Sequence, residues 1–315
     1  MKLVSIIIPT YNNAHLIGET LDSIMNQTYS NWECIVVDDD SNDTTDQLMA
    51  TYVARDQRIS YAKRPNSLPK GGNPCRNYGF QLSKGDYIQW FDSDDIMRPT
   101  FLDAKIGVLR KNDCDFVISK SLDFDGTGEY PMHLYDKNTF APLTARNFIF
   151  RNVFWMTPDF MCKRVLVSNH SFNEKLQSGQ ETNFFITLLT SYEPTGIYIN
   201  EELTLRRLQE NSIQQKLKKN RLDGIRSKLL SMLETYRTID SKSTVEIKNY
   251  LQYKLITMFF DLRLQKAPFG EFLRFSGHLI KEKGWSKAMN FVVSMILHTL
   301  RGNGKGYELM KKSRE

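Results

Sequence analysis

The chain has 315 residues, 41% of them hydrophobic and 25% charged, an ordinary globular composition long enough for one large domain or two modest ones. The net charge of +6 is unevenly spread: residues 215–315 hold 21 Lys+Arg and 9 Asp+Glu, while the rest of the chain is net acidic. Four dispersed cysteines without a CxxC pair exclude a disulfide frame or a cysteine zinc site and fit a reducing compartment, and strand-like sequence from Leu3 onward predicts that no signal peptide opens the chain.

Leu3 to Ile8 is a short run of Val and Ile, the pattern of a buried strand. Pro9, Thr10, Tyr11, Asn12 and Asn13 end it, because proline cannot continue a central ladder. Asn12 or Asn13 can cap the helix that Leu16, Ile17, Leu21, Ile24 and Met25 mark by their spacing. Trp32 to Val37 predicts a second strand, which runs into Asp38, Asp39, Asp40, Ser41, Asn42 and Asp43. Thr44 then starts a second helix. Strand, polar turn and helix repeat within fifty residues, which implies a parallel sheet. Ile59 to Ala62 reads as a third strand. Asn73 as cap and Pro74 at the first helical position predict a helix with Arg76, Asn77 and Gly79 in its first turns.

Tyr87 to Phe91 is apolar on both faces, the pattern of a central parallel strand, and it stops at Asp92-Ser93-Asp94-Asp95. Those acids therefore sit at a strand's carboxyl end, where open α/β sheets bind ligands. Carboxylates this close repel one another unless a cation joins them. Oxygen donors without a nearby His or Cys favour Mg²⁺ or Mn²⁺ over zinc. The plainer alternative is a solvated acidic loop that caps the next helix.

A helix from Pro99 through Arg110 and a strand from Phe116 to Ser119 follow, then a long loop over 120–142. The aromatic-rich stretch from Phe148 to Met161 suits either core packing or a wall for a sugar acceptor. Gly179 opens a helix to about Thr190 with Glu181 in its first turn, where a carboxylate also complements the helix dipole. Ile197–Ile199 and Leu203–Leu205 read as two short strands. From residue 214 the pattern changes to helices with apolar stripes at Leu229, Leu230, Leu233, Leu251, Leu255, Met258 and Phe259. The most apolar helix, Trp285 to Leu300, is too short and too polar to span a bilayer. With Lys281, Lys283, Lys287 and Arg301 around it, it suits a membrane surface or the core of a helical subdomain.

Five motifs in order resemble the family 2 glycosyltransferases: Val4 to Asn12; Val36-Val37-Asp38-Asp39 with Ser41 and Asp43; Arg76-Asn77; Asp92-Ser93-Asp94-Asp95; and Gly179-Gln180-Glu181, which is similar to the family's Gly-Glu-Asp stretch. Arg206 to Ser212 is similar to its Tyr-Arg-x-His-x-x-Ser stretch. The resemblance implies a GT-A fold over residues 1–213, an α/β architecture with a mostly parallel sheet, followed by a basic helical subdomain over 214–315. It implies a nucleotide-diphosphate-sugar donor, a divalent metal (Mn²⁺ or Mg²⁺) and inverting transfer to a hydroxyl. Pro9, Thr10, Tyr11, Asn12, Asp38 and Asp39 would line the nucleoside pocket, with uracil the suggested base. Arg76, Ser93 and Arg207 would meet the rest of the donor. Asp92 would face the ribose and the metal, Asp94 would be the principal metal ligand, and Glu181 would be the general base. Asp159 and Glu174 are spare carboxylates for that last role.

The resemblance also has departures. Asp40 stands where a glycine is usual, Glu181 is one methylene longer than the usual aspartate, Gln180 has lost a charge, and Gln209 replaces a common histidine. The expected partners are a nucleotide-sugar, a lipid-linked or oligosaccharide acceptor, a membrane surface for the C-terminal helices, and a second copy of the chain; nucleic acid is not among them. The expected location is the cytoplasmic face of the inner membrane. A nucleotidyltransferase would carry a glycine-rich loop with lysine after the first strand, which Pro9 to Asn13 lacks. A non-catalytic member that binds nucleotide-sugar or a partner transferase is the second reading.

Overall fold

The computed structural model describes residues 1–176, 178–209, 221–239, 241, 243–301, 308 and 310–313. The chain divides into two compact units, Met1–Gln209 and Glu210–Glu315. The expected boundary at 213/214 and the end of the last motif, from Glu210 through Ser212, lie outside the described residues.

In the first unit, β1 (Val4–Thr10), β2 (Trp32–Asp38), β3 (Ile59–Lys63) and β4 (Tyr87–Trp90) form a parallel half-sheet in the order β3-β2-β1-β4. Val4, Ile6, Ile7 and Ile8 are fully buried, and all four residues of β4 are buried, because helices cover both faces. The helices are α1 (Ala14–Met25), α2 (Thr45–Arg55) and α3 (Gly72–Leu82), followed by α4 (Phe101–Lys111). Ile17, Leu21 and Ile24 of α1 turn one stripe into the core. Gly79 lets α3 sit directly on β1: a Cβ there would lie 2.5 Å from Ile7 Cγ2.

β5 (Ile96–Met97), β6 (Phe116–Phe124), β7 (Glu129–Pro131), β8 (Phe160–Lys163) and β9 (Gly196–Arg207) complete the nine-stranded sheet. β8 runs antiparallel to β4 and β6, while β6 and β9 are parallel. The short helices α5 (Ala145–Ile149) and α6 (Arg164–Val167) and the longer α7 (Gln180–Tyr192) pack on this half.

Several local expectations change. β1 continues through Pro9 to Thr10, because its β4 partner has already ended at the level of Ile7, so an N–H is not required there. Asn73 lies inside α3 and does not cap it; its amide donates to the carbonyl of Asn173, 2.7 Å away. The stretch 120–142 is not one loop: it holds the end of β6, the short β7 and a 3-10 turn over His133–Thr139. The two short strands after Thr195 are one, since the exposed Asn200, Glu201 and Glu202 break the apolar pattern while the ladder to β6 resumes at Glu202. The aromatic stretch is mainly core: Phe148, Trp155 and Phe160 pack around Phe185.

The second unit contains α8 (Arg221–Ile239), α9 (Val245–Lys266), α10 (Phe269–Lys283) and α11 (Trp285–Arg301). Leu229, Leu233, Leu251 and Leu255 are buried as their spacing predicts, whereas Leu230 points outward. Phe259, Phe272, Phe275 and Phe291 form an aromatic centre. Among the described residues, no helix is long and apolar enough to cross a membrane.

Candidate active site

Three adjacent parallel strands end side by side. Thr10 pairs with Asp38 across β1 and β2, Ile7 pairs with Trp90 across β1 and β4, and Asp92 follows at once. Pro9 to Asn12, Asp38 to Asp43 and Asp92 to Asp95 thus emerge along one carboxyl edge.

The first two turns are tied together. The buried Asp38 carboxylate accepts from the backbone N–H of Ser41 at 3.0 Å and from the Ser41 hydroxyl. Ser41 Oγ in turn accepts from the N–H of Asn12 at 2.8 Å. Asn12 Oδ1 accepts from the N–H of Asn42 at 2.8 Å. Asp43 accepts from the N–H groups of Ala14 and Thr45, so it ties the start of α1 to the start of α2. Asn12 and Asp40 both have positive φ, 49° and 66°. At Asp40 this explains why glycine suits the position, and aspartate is one of the few other residues that tolerate it. Thr10 is buried, and its Oγ1 has no partner among the described residues. Tyr11 is exposed, with the Lys70 ammonium 4.1 Å from its ring centre. Asp39 is buried in an ion pair with Arg64 at 2.6 Å, a partner that nothing local in the sequence reveals.

The acidic turn after β4 divides its carboxylates among different tasks. Asp92, partly exposed, accepts from an Arg76 terminal nitrogen at 2.8 Å. Arg76 also lies over Phe172, and its buried Nε has no partner among the described residues. Ser93 uses its hydroxyl and carbonyl to hold the Asn13 amide, at 2.9 and 3.0 Å. Asp94 accepts from the Gln209 amide at 2.5 Å. Burial, then the charge of Asp92, pushes the Asp94 carboxyl up to about 6, against the Gln209 hydrogen bond. Asp95 is buried and receives the Arg207 N–H at 3.0 Å, which fastens the turn to the end of β9. Arg207 pairs through its guanidinium with Glu19 at 2.6 Å and donates from Nε to the Asp94 carbonyl at 3.1 Å.

Glu181 stands in the first turn of α7, after Gly179 at φ 68°. Its Oε2 accepts from the N–H of Thr157 at 2.6 Å and from the Thr157 hydroxyl at 2.8 Å. Burial pushes Glu181 up to about 7; the Thr157 bonds oppose the rise, and the charges of Asp92 and Asp159 add to it. Glu181 therefore belongs to the same electrostatic neighbourhood as the β4 turn. The two spare carboxylates are occupied elsewhere. Asp159 is fully buried, accepting from Ser121 at 2.6 Å, from Tyr135 at 2.5 Å and from the Met156 N–H at 2.7 Å. Glu174 accepts from the Asn77 amide at 2.9 Å.

Asp92 and Asp94 give two oxygen-donor carboxylates whose mutual repulsion a divalent cation relieves. Among the described residues no three His, Cys, Asp or Glu converge as a ready cation cage. Mg²⁺ is commonly held by one or two carboxylates with phosphate oxygens and water completing its shell, so this donor set fits an ion that binds together with a diphosphate.

Sequence reasoning missed Arg64, Glu19 and Thr157. Thr157 had a faint signal, as the only hydroxyl residue between Phe148 and Met161. The other two become partners only through the fold.

The comparisons bear on the family and the fold. The family description Glycosyl transferase family 2 matches residues 5–173. Over 115 residues the chain is 38% identical to UDP-Glc:alpha-D-GlcNAc-diphosphoundecaprenol beta-1,3-glucosyltransferase WfgD of Escherichia coli, covering 36% of this chain and 44% of that relative. The chain thus spans less than half the length of WfgD. Among solved structures, Staphylococcus aureus TarS 1–349 in complex with UDP superposes with a TM-score of 0.60 at 18% identity, covering 100% of this chain and 88% of the other. The mannosyltransferase PcManGT of Pyrobaculum calidifontis, in complex with GDP-Man and Mn²⁺, gives 0.57 at 16% identity, covering 96% and 88%. The fold is that of the GT-A glycosyltransferases, and the chain belongs to glycosyl transferase family 2, the nucleotide-sugar-dependent glycosyltransferases that its ordered motifs resemble.

Proposed function

We propose that the chain is an inverting glycosyltransferase that moves a sugar from a nucleotide-diphosphate donor, a UDP-sugar in preference, to a hydroxyl of a lipid-linked or polysaccharide acceptor. The observation that carries this reading is the convergence along one carboxyl edge of the parallel sheet of Asp38, Asp92 and Asp94, with an Arg76 terminal nitrogen 2.8 Å from Asp92. Carboxylates and a guanidinium gathered at such an edge suit a nucleoside diphosphate that arrives with a cation. The UDP in the TarS complex and the UDP-Glc donor in the name of WfgD support uridine.

In this reading Thr10, Tyr11, Asn12 and Asp38 hold the nucleoside. Pro9, Asp39 and Ser93 support them from behind, Asp39 by fixing Arg64 and Ser93 by fixing Asn13. Arg76 and Arg207 bring positive charge to the diphosphate. A divalent cation, Mn²⁺ or Mg²⁺, held by Asp94 and Asp92 would neutralise charge on the departing diphosphate, and the Mn²⁺ in the PcManGT structure supports that choice. Glu181 takes the proton of the acceptor hydroxyl as it attacks the face of the sugar opposite the leaving group. A carboxyl near 7 suits this task, since it is more basic than an ordinary carboxylate and still about half ionised at neutral pH. No enzyme nucleophile is needed.

The same reading gives the basic helical unit to a membrane surface at the cytoplasmic face of the inner membrane. Trp285, Met289 and Ile296 are exposed on α11, and their spacing puts them within about 40° of one another around the helix. Lys281, Lys283 and Lys287 flank them, a pairing suited to an anionic bilayer.

A thermal-shift panel of UDP-, GDP- and dTDP-sugars with and without Mn²⁺ tests the donor. A UDP-sugar should raise the melting temperature only with metal, and Asp94→Ala should remove the effect. No shift and no UDP release with any donor would favour the non-catalytic reading.

A further inference from the structure

Thr157 reaches Glu181 from a separate part of the chain and bonds only one of its two oxygens. Both bonds, from the backbone N–H at 2.6 Å and from Oγ1 at 2.8 Å, converge on Oε2. Oε1 accepts no bond from the protein among the described residues. We propose that Thr157 is the positioning residue of this enzyme, clamping Oε2 of Glu181 so that Oε1 alone is presented to the acceptor hydroxyl. The proposal rests on Glu181 as the base.

The clamp is built into rigid structure. Thr157 begins the 3-10 turn Thr157–Asp159, between the aromatic core stretch and β8. Lys105, fully buried on α4, donates from Nζ to the carbonyls of Asp159 at 2.7 Å and Pro158 at 3.3 Å. The Asp159 carboxylate closes the turn on the Met156 N–H and ties it to Ser121 and Tyr135. A buried lysine and a buried aspartate are costly groups to keep unless their surroundings satisfy them, and here they satisfy one turn between them. That turn has no freedom to follow Glu181; Glu181 must adapt to it. Two bonds on one oxygen fix the carboxylate plane and leave the free lone pairs directed away from Thr157.

The clamp also sets the proton affinity of the base. Burial raises it, and the negative charges of Asp92 and Asp159 act in the same direction, with the buried Tyr135 phenol also close enough to sense Glu181. The Thr157 bonds stabilise the ionised form and pull the other way. Removing the hydroxyl therefore moves Glu181 further upward while leaving the backbone bond in place.

The test uses the full chain with ¹³C-labelled glutamate, in which the Glu181 carboxyl resonance is the one missing from Glu181→Gln. In the native protein this resonance should titrate near pH 7. In Thr157→Val its midpoint should rise by about one pH unit, and in Thr157→Ser it should return to within a few tenths. The acidic limb of the pH profile for UDP release from UDP-glucose or UDP-N-acetylglucosamine with Mn²⁺ should move by the same amount. A one-unit rise from about 7 leaves roughly a fifth of the active form at pH 7, a deficit that disappears near pH 9 and falls on kcat more than on KM. If Thr157→Val does not fold, Thr157→Ala carries the same readout. A Glu181 midpoint unmoved by loss of the Thr157 hydroxyl overturns the clamp. Full turnover in Glu181→Gln overturns the base assignment instead, and it does so whether or not the resonance has moved.

Discussion

The two units use apolar sequence in opposite ways. In the α/β unit, buried runs stop abruptly at carboxylates: Val37 gives way to Asp38 and Asp39, and Phe91 to Asp92. Because the strands are parallel, those stops line up along one edge, and groups far apart in the chain become neighbours. In the helical unit, apolar residues recur every three or four positions and are consumed in side-to-side packing, with the charges distributed between them. A parallel sheet therefore concentrates chemistry where regular structure ends, whereas a helical bundle spreads it along its faces.

The sharpest way to break that contrast is to remove the concentrated chemistry. Asp94→Ala should lower donor turnover by about a thousandfold while leaving the melting temperature unchanged or higher, since it removes a half-buried carboxyl held above its usual range. UDP release and calorimetry read the two effects. Gly79→Ala tests the packing that brings α3 and its Arg76 to the strand edge. The added methyl would meet Ile7 at 2.5 Å and Val37 at 3.3 Å, and denaturant melts should show a loss of about 2 kcal/mol.

Acid should sharpen the comparison further. The folded pKa of Glu181, about 7, lies above that of an unfolded glutamate, so its contribution to stability is fully present below about pH 4 and is lost as pH rises through 7. Asp94, at about 6, has the same sign. The metal-free protein should melt several degrees higher at pH 5 than at pH 8, and Glu181→Gln should flatten the slope. In the helical unit, Trp285→Asp should abolish flotation with anionic vesicles and leave UDP release from a soluble donor unchanged. The smallest effect belongs to Asp40→Gly. It relieves a positive φ of 66° but frees the unfolded chain, so stability should change by less than about 1 kcal/mol.

What could be read in the sequence follows from range. Apolar runs ended by Asp38 or Asp92 are local patterns, so the strands, their order and the acidic edge are legible. So is Glu181 at the start of α7. The partners that set its behaviour are not. Thr157 lies 24 positions away, Arg64 lies 25 from Asp39, and Glu19 lies 188 from Arg207. Each pair meets only through the fold: Asp39 and Arg64 follow adjacent strands, Glu19 sits on α1 against the end of β9, and Thr157 sits in a 3-10 turn against the start of α7. β9 was hidden for a related reason: its exposed polar middle, Asn200 and Glu201, falls where the ladder to β6 is interrupted, and pairing resumes at Glu202. Asp40 was legible as a departure from glycine, but the left-handed turn it occupies was not visible until φ was known.

The four cysteines are all buried: Cys34 in β2, Cys75 in α3, Cys114 just before β6 and Cys162 in β8. Burial raises every one of these thiols above its ordinary range, Cys75 to about 12, so none offers a thiolate to solvent. A thiol reagent can then react only when the segment carrying a cysteine opens. Two of these residues report on the parallel half and two on the strands beyond β4. Single-cysteine versions of the chain would turn labelling rates into a map of which half of the sheet breathes first.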